Sequence, residues 1–271
     1  MTVSTAERTA FLEVVWDYYR SHGRGALPWR APESDGSFDP YKILVSELML
    51  QQTQVARVVP KYQAFLERFP DVKSLAAAEL GDVLREWQGL GYNRRAKFLW
   101  QAAQALGVSG GFPKTLAELV QLPGVGANTA GAILAYAFNQ PAVFVETNIR
   151  TVYLHHFARD GEIVSDDFIR DVLRQTLDHE HPREFYWALM DYGAFLKTQV
   201  HNTSRSKHYT KQAAFAGSKR QVRGAIIRLL SAGAMTKAQI ETAVDDERCS
   251  TILAELLREG LIRRGRSGYH L

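Results

Sequence analysis

Apolar residues recur three and four apart through almost the whole of this chain, and no stretch of useful length alternates with period two before Leu261. In residues 6–21 the spacing is carried by Phe11, Val14, Val15 and Tyr18. A side-chain period near 3.6 turns one helix face inward, whereas a half-buried strand needs a period of two. The pattern restricts the chain to an all-α fold. Further helices are predicted over 41–51, 55–68, 72–78, 80–88, 94–106, 115–121, 129–137, 147–157, 166–177 and 184–196. Pro70, Gly89, Gly91, Gly107, Gly110, Gly111 and Pro113 mark stops between them. Pro60 predicts a kink or a later start for its helix. Thr115, with Glu118 three residues on, predicts a capping box.

From Ser218 the pattern changes. Three short helices are predicted over 222–230, 236–244 and 247–259, followed by GLIRRGRSGYHL, which reads as two short strands about a basic turn. That is the order of a winged-helix-like module, in which the third helix and the wing approach nucleic acid. A helical cap packed on the main body is the alternative. Residues 1–217 are expected to form the core and 218–271 the module.

The formal net charge of the 271-residue chain is +4. The tail from Ser218 holds ten Lys/Arg against six Asp/Glu, and the remainder is balanced. No Asp or Glu occurs from Tyr192 through Ile240, a stretch that carries Lys197, Arg205, Lys207, Lys211, Lys219, Arg220, Arg223, Arg228 and Lys237. Cations without anions suit a polyanion, or equally a solvated basic linker. No apolar run is long enough to span a membrane, and MTVSTAERTA lacks the basic and apolar regions of a secretory signal, so a cytoplasmic, nucleoid-associated protein is expected. The one cysteine, Cys249, rules out an intrachain disulfide and any cysteine-built metal site or iron–sulfur cluster.

The stretch LPGVGANTA, from Leu122, interrupts two helical patterns. Its glycines allow positive φ and close backbone approach, and the next helix is predicted to begin near Asn128 or Thr129. Free N–H groups at a helix start form an anion site, with phosphate the natural anion. The GxxxxGK[ST] phosphate loop does not fit, because no Lys precedes Thr129; nor does a dinucleotide fingerprint, because no strand precedes the turn. Alone, such a turn is ordinarily structural.

Four blocks in order carry a resemblance: LPWR ending at Arg30, SELMLQQTQV from Ser46, GLGYNRRA from Gly89 and LPGVGANTAGAIL from Leu122. Together they resemble the helix–hairpin–helix (HhH-GPD) DNA glycosylases, most specifically the MutY-like adenine glycosylases that act on A opposite G or 8-oxoguanine. The resemblance covers roughly residues 6–193. It implies a two-lobed helical core, with one lobe at about 30–140 and the other formed by 1–29 and 141–217. It also implies double-stranded DNA with a damaged or mismatched base as partner, bound by a monomer.

Breaking an N-glycosidic bond requires that the base leave neutral and that the cationic sugar be stabilised. It also requires extrusion of the base from the stack. In its predicted helix Glu47 has Ile43, Leu44, Leu50 and Gln51 as neighbours, three of them apolar and none charged. Its pKa is expected to rise, which suits a proton donor; a buried Glu paired with an Arg is the structural alternative. The resemblance assigns Glu47 to protonation of the leaving purine. The family's second acid is an Asp, and without a gap its position here is Glu146, one methylene longer; a helix-cap role is compatible with it. Where bifunctional relatives carry a nucleophilic Lys, this chain has Asn128, which implies a monofunctional enzyme without efficient strand cleavage. The resemblance further implies DNA contacts by Leu122, Gly124, Val125, Gly126 and Thr129 of the hairpin, by Gln51 and Gln52 in the gap and by Tyr92 as a wedge. Arg94, Arg95 and Lys97 are expected on phosphates, with a solvated helix start the equal alternative, Lys207 and Lys211 on the backbone, and Trp29 and Arg30 at the base pocket, with core packing the alternative for Trp29.

Two departures qualify the substrate. The segment from Asp191, DYGAFLKTQVHNTSRSKHYTKQ, has none of the four cysteines that hold a cluster in close relatives. No metal or cofactor is expected, although a structural cation at the hairpin carbonyls is compatible with the turn. The tail is also too short for the Nudix-like domain that reads 8-oxoguanine. Adenine is the first expectation. T or U opposite G, hypoxanthine or an oxidised pyrimidine is the alternative, as is a catalytically altered DNA-damage-binding protein.

Overall fold

The computed structural model describes every residue except 160, 201 and 208–213, so Lys211 lies outside the described residues. Among the described residues fourteen α-helices follow one another in chain order. They are α1 (Thr5–His22), α2 (Pro40–Leu50), α3 (Val55–Arg68), α4 (Val72–Ala77), α5 (Leu80–Glu86), α6 (Arg94–Ser109) and α7 (Leu116–Leu119). Then come α8 (Ala127–Phe138), α9 (Thr147–Phe157), α10 (Asp166–Thr176), α11 (Pro182–Gln199), α12 (Lys219–Ala232), α13 (Lys237–Val244) and α14 (Cys249–Arg258). One antiparallel hairpin, β1 (Arg263–Gly265) with β2 (Gly268–His270), closes the order. Pro60 falls inside α3, which nevertheless begins at Val55: its buried stripe of Val58, Tyr62 and Phe65 outweighs the one missing N–H. Thr115 caps α7, but the Glu118 carboxylate accepts from the Thr115 hydroxyl, so the expected reciprocal box does not close. A full box forms instead at Ser4 and Glu7, ahead of α1.

Contacts divide the chain into two compact units. Unit 1 is Met1–Ile43, Pro113–Gln121 and Val125–Lys211; unit 2 is Leu44–Phe112, Leu122–Gly124 and Gln212–Leu271. Thus α8 groups with unit 1, whereas a boundary near 140 was expected. The cause is local. A Cβ on Gly131 would stand 2.9 Å from Phe144, and Arg183 of α11 donates to the carbonyls of Tyr136 and Ala137 at 2.5 and 3.3 Å.

Within unit 1, α9 packs on α11 so closely that a Cβ on Gly193 would lie 2.2 Å from the Asn148 carbonyl oxygen. Phe11 of α1 brings its ring within 5.4 Å of Tyr153 and 5.0 Å of Phe157. Burying each such side chain contributes about 1.5–3 kcal/mol. His156, in the same cluster, is held at about 4 by burial and by His155 beside it, so it is neutral at physiological pH.

Within unit 2, Trp87 is wholly buried, meets Phe65 edge-on and donates its indole N–H to the Gly91 carbonyl at 3.1 Å. The C-terminal module packs here: α12 carries Val222, Ile226, Ile227 and Leu230 inward, against α13 and α14. Arg85 of α5 donates to the Ser231 carbonyl at 3.3 Å, and Lys97 of α6 donates to that of Glu259. The three helices and hairpin follow in the order expected and dock on α5 and α6. The third helix, α14, turns Glu255 toward Lys219 and Arg223 of α12, and the residue that follows its end, Glu259, also meets Arg223.

Candidate functional site

Unit 2 holds the residues from Glu47 to Arg95. Helix α2 places Glu47 half-buried, between the buried Ser46 and Leu48. The helix ends at Leu50, and its last carbonyls have no partner within the helix. Arg95 serves them. One terminal nitrogen of its guanidinium donates to the carbonyls of Leu48, Met49 and Gln51 at 2.6, 3.0 and 2.6 Å. The other donates to the Thr53 hydroxyl and to the carbonyls of Leu90 and Gly91 at 3.2, 3.0 and 3.0 Å. A cation at a helix C-terminus is favoured by the dipole. Burial pulls its pKa down to about 10, which leaves it charged near neutrality. Arg95 is therefore not the phosphate contact expected from the sequence but the staple that joins the end of α2 to the Gly89–Gly91 turn. Lys97 is likewise occupied with the Glu259 carbonyl.

The stapled segments hold two strained residues. Gln52 has φ +54 and Tyr92 φ +48, two of four non-glycine residues with positive φ among those described. A bulky side chain in that region costs on the order of 1–3 kcal/mol, and such residues cluster where a surface is shaped for a ligand. Gln51, Gln52, Tyr92, Arg94 and Phe98 line a cleft of about 550 Å³ with Lys219, Arg220 and Arg223 of α12. Arg94 is exposed, its guanidinium 5.5 Å from the Phe98 ring.

The hairpin separates its two glycines by role. Gly124 has φ +80, and a Cβ there would meet Phe98 at 2.6 Å, so conformation and space both demand glycine. Gly126 has φ −88, which any residue adopts, and nothing lies within 4 Å of its added Cβ. It is the N-cap of α8, which begins at Ala127, slightly earlier than expected, and it provides no side-chain cap. Packing does not explain this glycine; bare backbone at a helix start does. Leu122 and Val125 are buried and anchor the turn, and Thr129 is buried in α8.

In unit 1, Asn128 makes a two-way amide clasp with Val145: its Nδ2 donates to the carbonyl at 2.9 Å, and its Oδ1 accepts from the N–H at 3.3 Å. The next residue is Glu146, at the N-cap position of α9 but without a side-chain cap hydrogen bond. Burial raises the Glu146 pKa, opposed by the positive charge of Arg150. Arg150 itself is engaged by Asp166 through two bonds of 2.8 Å. Such a carboxylate is poorly solvated and strongly attracted to a developing cation.

Trp29 and Arg30 form a buried 3₁₀ turn. Arg30 donates to both oxygens of Asp191 at 2.7 and 2.9 Å, and Arg24 adds a third bond from its side chain at 2.7 Å. These bonds outweigh burial and hold the Asp191 pKa below its ordinary value. Arg30 thus has a structural occupation that the sequence did not disclose, because Asp191 lies 161 residues away. Lys207 is exposed, and its N–H donates to the Val164 carbonyl at 3.0 Å, pinning that part of the basic stretch. The donor set for an iron–sulfur cluster does not fit: Cys249 is the single cysteine and is buried within α14.

Residues 45–172 match the model of the HhH-GPD superfamily base excision DNA repair protein. The chain is 35% identical to the adenine DNA glycosylase of Buchnera aphidicola subsp. Baizongia pistaciae over 69% of its own length and 52% of that protein. It therefore spans about half the length of that relative. It is 34% identical to the adenine DNA glycosylase of Mycolicibacterium smegmatis over 91% of both chains. A thermostable thymine-DNA glycosylase shares the fold with a TM-score of 0.64 at 23% identity, over 71% of this chain and 88% of that one. A trapped endonuclease III–DNA covalent intermediate does so with 0.57 at 18%, over 82% and 95%. With the hairpin, the Glu47 helix and the order of blocks in place, the chain belongs to the HhH-GPD superfamily of base excision DNA repair proteins, within its adenine DNA glycosylase family.

Proposed function

We propose that this protein is a monofunctional DNA N-glycosylase of base excision repair that removes adenine mispaired with guanine or 8-oxoguanine, without an iron–sulfur cluster. The observation that carries the reading is the Asn128–Val145 clasp, which ties the hairpin helix directly to the residue before Glu146. The hairpin amides from Gly126 onward bind a DNA phosphate. Gln51, Gln52 and Tyr92 occupy the gap left by the extruded nucleotide. Glu47 gives its proton to the departing adenine, so the base leaves neutral. The Glu146 carboxylate stabilises the positive charge that develops on the sugar; water then bonds to the anomeric carbon and gives up a proton to the Glu47 carboxylate, which restores the acid. Asn128 spends its amide on the backbone and offers no amine, so no Schiff base forms and the product is an intact abasic strand. The likeness to the Mycolicibacterium smegmatis enzyme over 91% of both chains supports adenine as the substrate.

The test is a panel of duplexes containing A·8-oxoguanine, A·G, T·G, U·G, hypoxanthine or an oxidised pyrimidine, developed with and without alkali. The expected result is alkali-dependent cleavage at adenine in the first two. Release from a pyrimidine duplex instead would contradict the substrate, and cleavage without alkali would contradict the role of Asn128.

A further inference from the structure

The cleft beside Tyr92 has two walls from distant parts of the sequence. One is the end of the α2 segment with the Gly89–Gly91 turn; the other is the first two turns of α12 in the C-terminal module. Five cations and two carboxylates line it. The carboxylates are spoken for: Glu255 holds Lys219 at 2.6 Å, and Glu259 holds Arg223. Arg95 faces the carbonyls beneath. Arg220 points elsewhere. It donates to the Tyr92 hydroxyl at 2.7 Å, and its guanidinium lies 5.4 Å from the Tyr92 ring centre. Arg95 lies at the same 5.4 Å from that ring. One aromatic side chain, on a backbone with φ +48, thus engages two guanidinium groups. Arg95 alone already staples the segment to α2, so the contribution of Arg220 is to the side chain of Tyr92 and to the cleft.

Resting on the glycosylase reading above, we propose that Arg220 is a positioning residue for recognition of the base opposite the excised one, and that the first turn of α12 forms the outer wall of that subsite. When a nucleotide is extruded, its partner base stays in the duplex, unpaired, next to whatever fills the gap. Gln51 and Gln52 supply amides that pair with a base edge, and Tyr92 supplies a stacking face. A planar fork that holds the tyrosine hydroxyl fixes the angle of that face, which a flexible ammonium does not. Arg94, exposed at the rim of the cleft, favours a phosphate that flanks the base. On this account the C-terminal module contributes to DNA recognition through its first helix rather than through its third helix and wing.

The experiment uses the full chain and duplexes that carry a tetrahydrofuran abasic analogue opposite guanine, 8-oxoguanine or cytosine, with binding titrated at one fixed salt concentration. The wild type is expected to prefer the two purine partners over cytosine. Arg220→Ala is expected to lower that preference about tenfold, and Arg220→Lys to keep overall affinity without restoring the preference. Tyr92→Phe removes the hydroxyl acceptor with little disturbance of the fold, and is expected to lower the same ratio should Arg220→Ala prove unstable. Equal loss on all three duplexes, no loss, a preference restored by lysine, or a wild type that binds all three alike would overturn the proposal. Base release is scored separately: a wild type that binds selectively but frees no base overturns the glycosylase reading and leaves the role of Arg220 standing.

Discussion

Arg95 shows at the residue scale why local sequence misleads. It sits in GLGYNRRA beside Arg94, and both read as phosphate contacts. The two differ in what surrounds them: Arg94 is exposed, whereas Arg95 meets carbonyls contributed from Leu48 to Gly91. No local pattern encodes those partners, so only the fold distinguishes the two arginines. Arg95→Met should destabilise the protein by about 3 kcal/mol, because the buried carbonyls lose their donors; chemical denaturation measures this, and a change below about 0.5 kcal/mol would contradict the staple. Glu146 makes the opposite prediction. Its pKa is raised by burial, so ionisation costs the folded state stability as pH rises through and above the unfolded value, 4.5. Glu146→Gln should therefore melt higher than the wild type at neutral pH, with the advantage fading below about pH 4. Base release by the variant should fall by about 10²–10⁴-fold. Thermal melts across pH, paired with single-turnover rates, check both parts.

At the scale of elements, the sequence was informative wherever the relevant partners are near in the chain. Helices α3 and α9 begin and end at the residues expected, because their apolar spacing and flanking breaks are local. The turn between α7 and α8 was legible as a turn, but not the division of labour between its glycines. Gly124 is fixed by φ +80 and by Phe98, a residue from α6. Gly126 is constrained by neither. Gly124→Ala should cost about 2 kcal/mol or more in stability. Gly126→Ala should leave the melting temperature within about 2 °C, while it weakens duplex binding by placing a methyl group over the bare amides. Unchanged affinity in Gly126→Ala would remove the hairpin from the phosphate contacts.

At the scale of the whole molecule, the resemblance carried by four short blocks located the family, and the contacts then regrouped the chain. The C-terminal 54 residues keep the order of a winged helix yet belong with Leu44–Phe112 in one unit. What the sequence could not disclose was that Arg220, inside the acid-free stretch, would lie against Tyr92, since 128 residues separate them. The role that decides the chemistry is protonation of an extruded adenine by Glu47. Single-turnover adenine release from an A·8-oxoguanine duplex by the wild type and by Glu47→Gln, with binding titrated in parallel, tests it most directly. The wild type is expected to release adenine, and the variant to do so at a rate at least about 10²-fold lower with duplex affinity retained. A variant that releases adenine at the wild-type rate would contradict it.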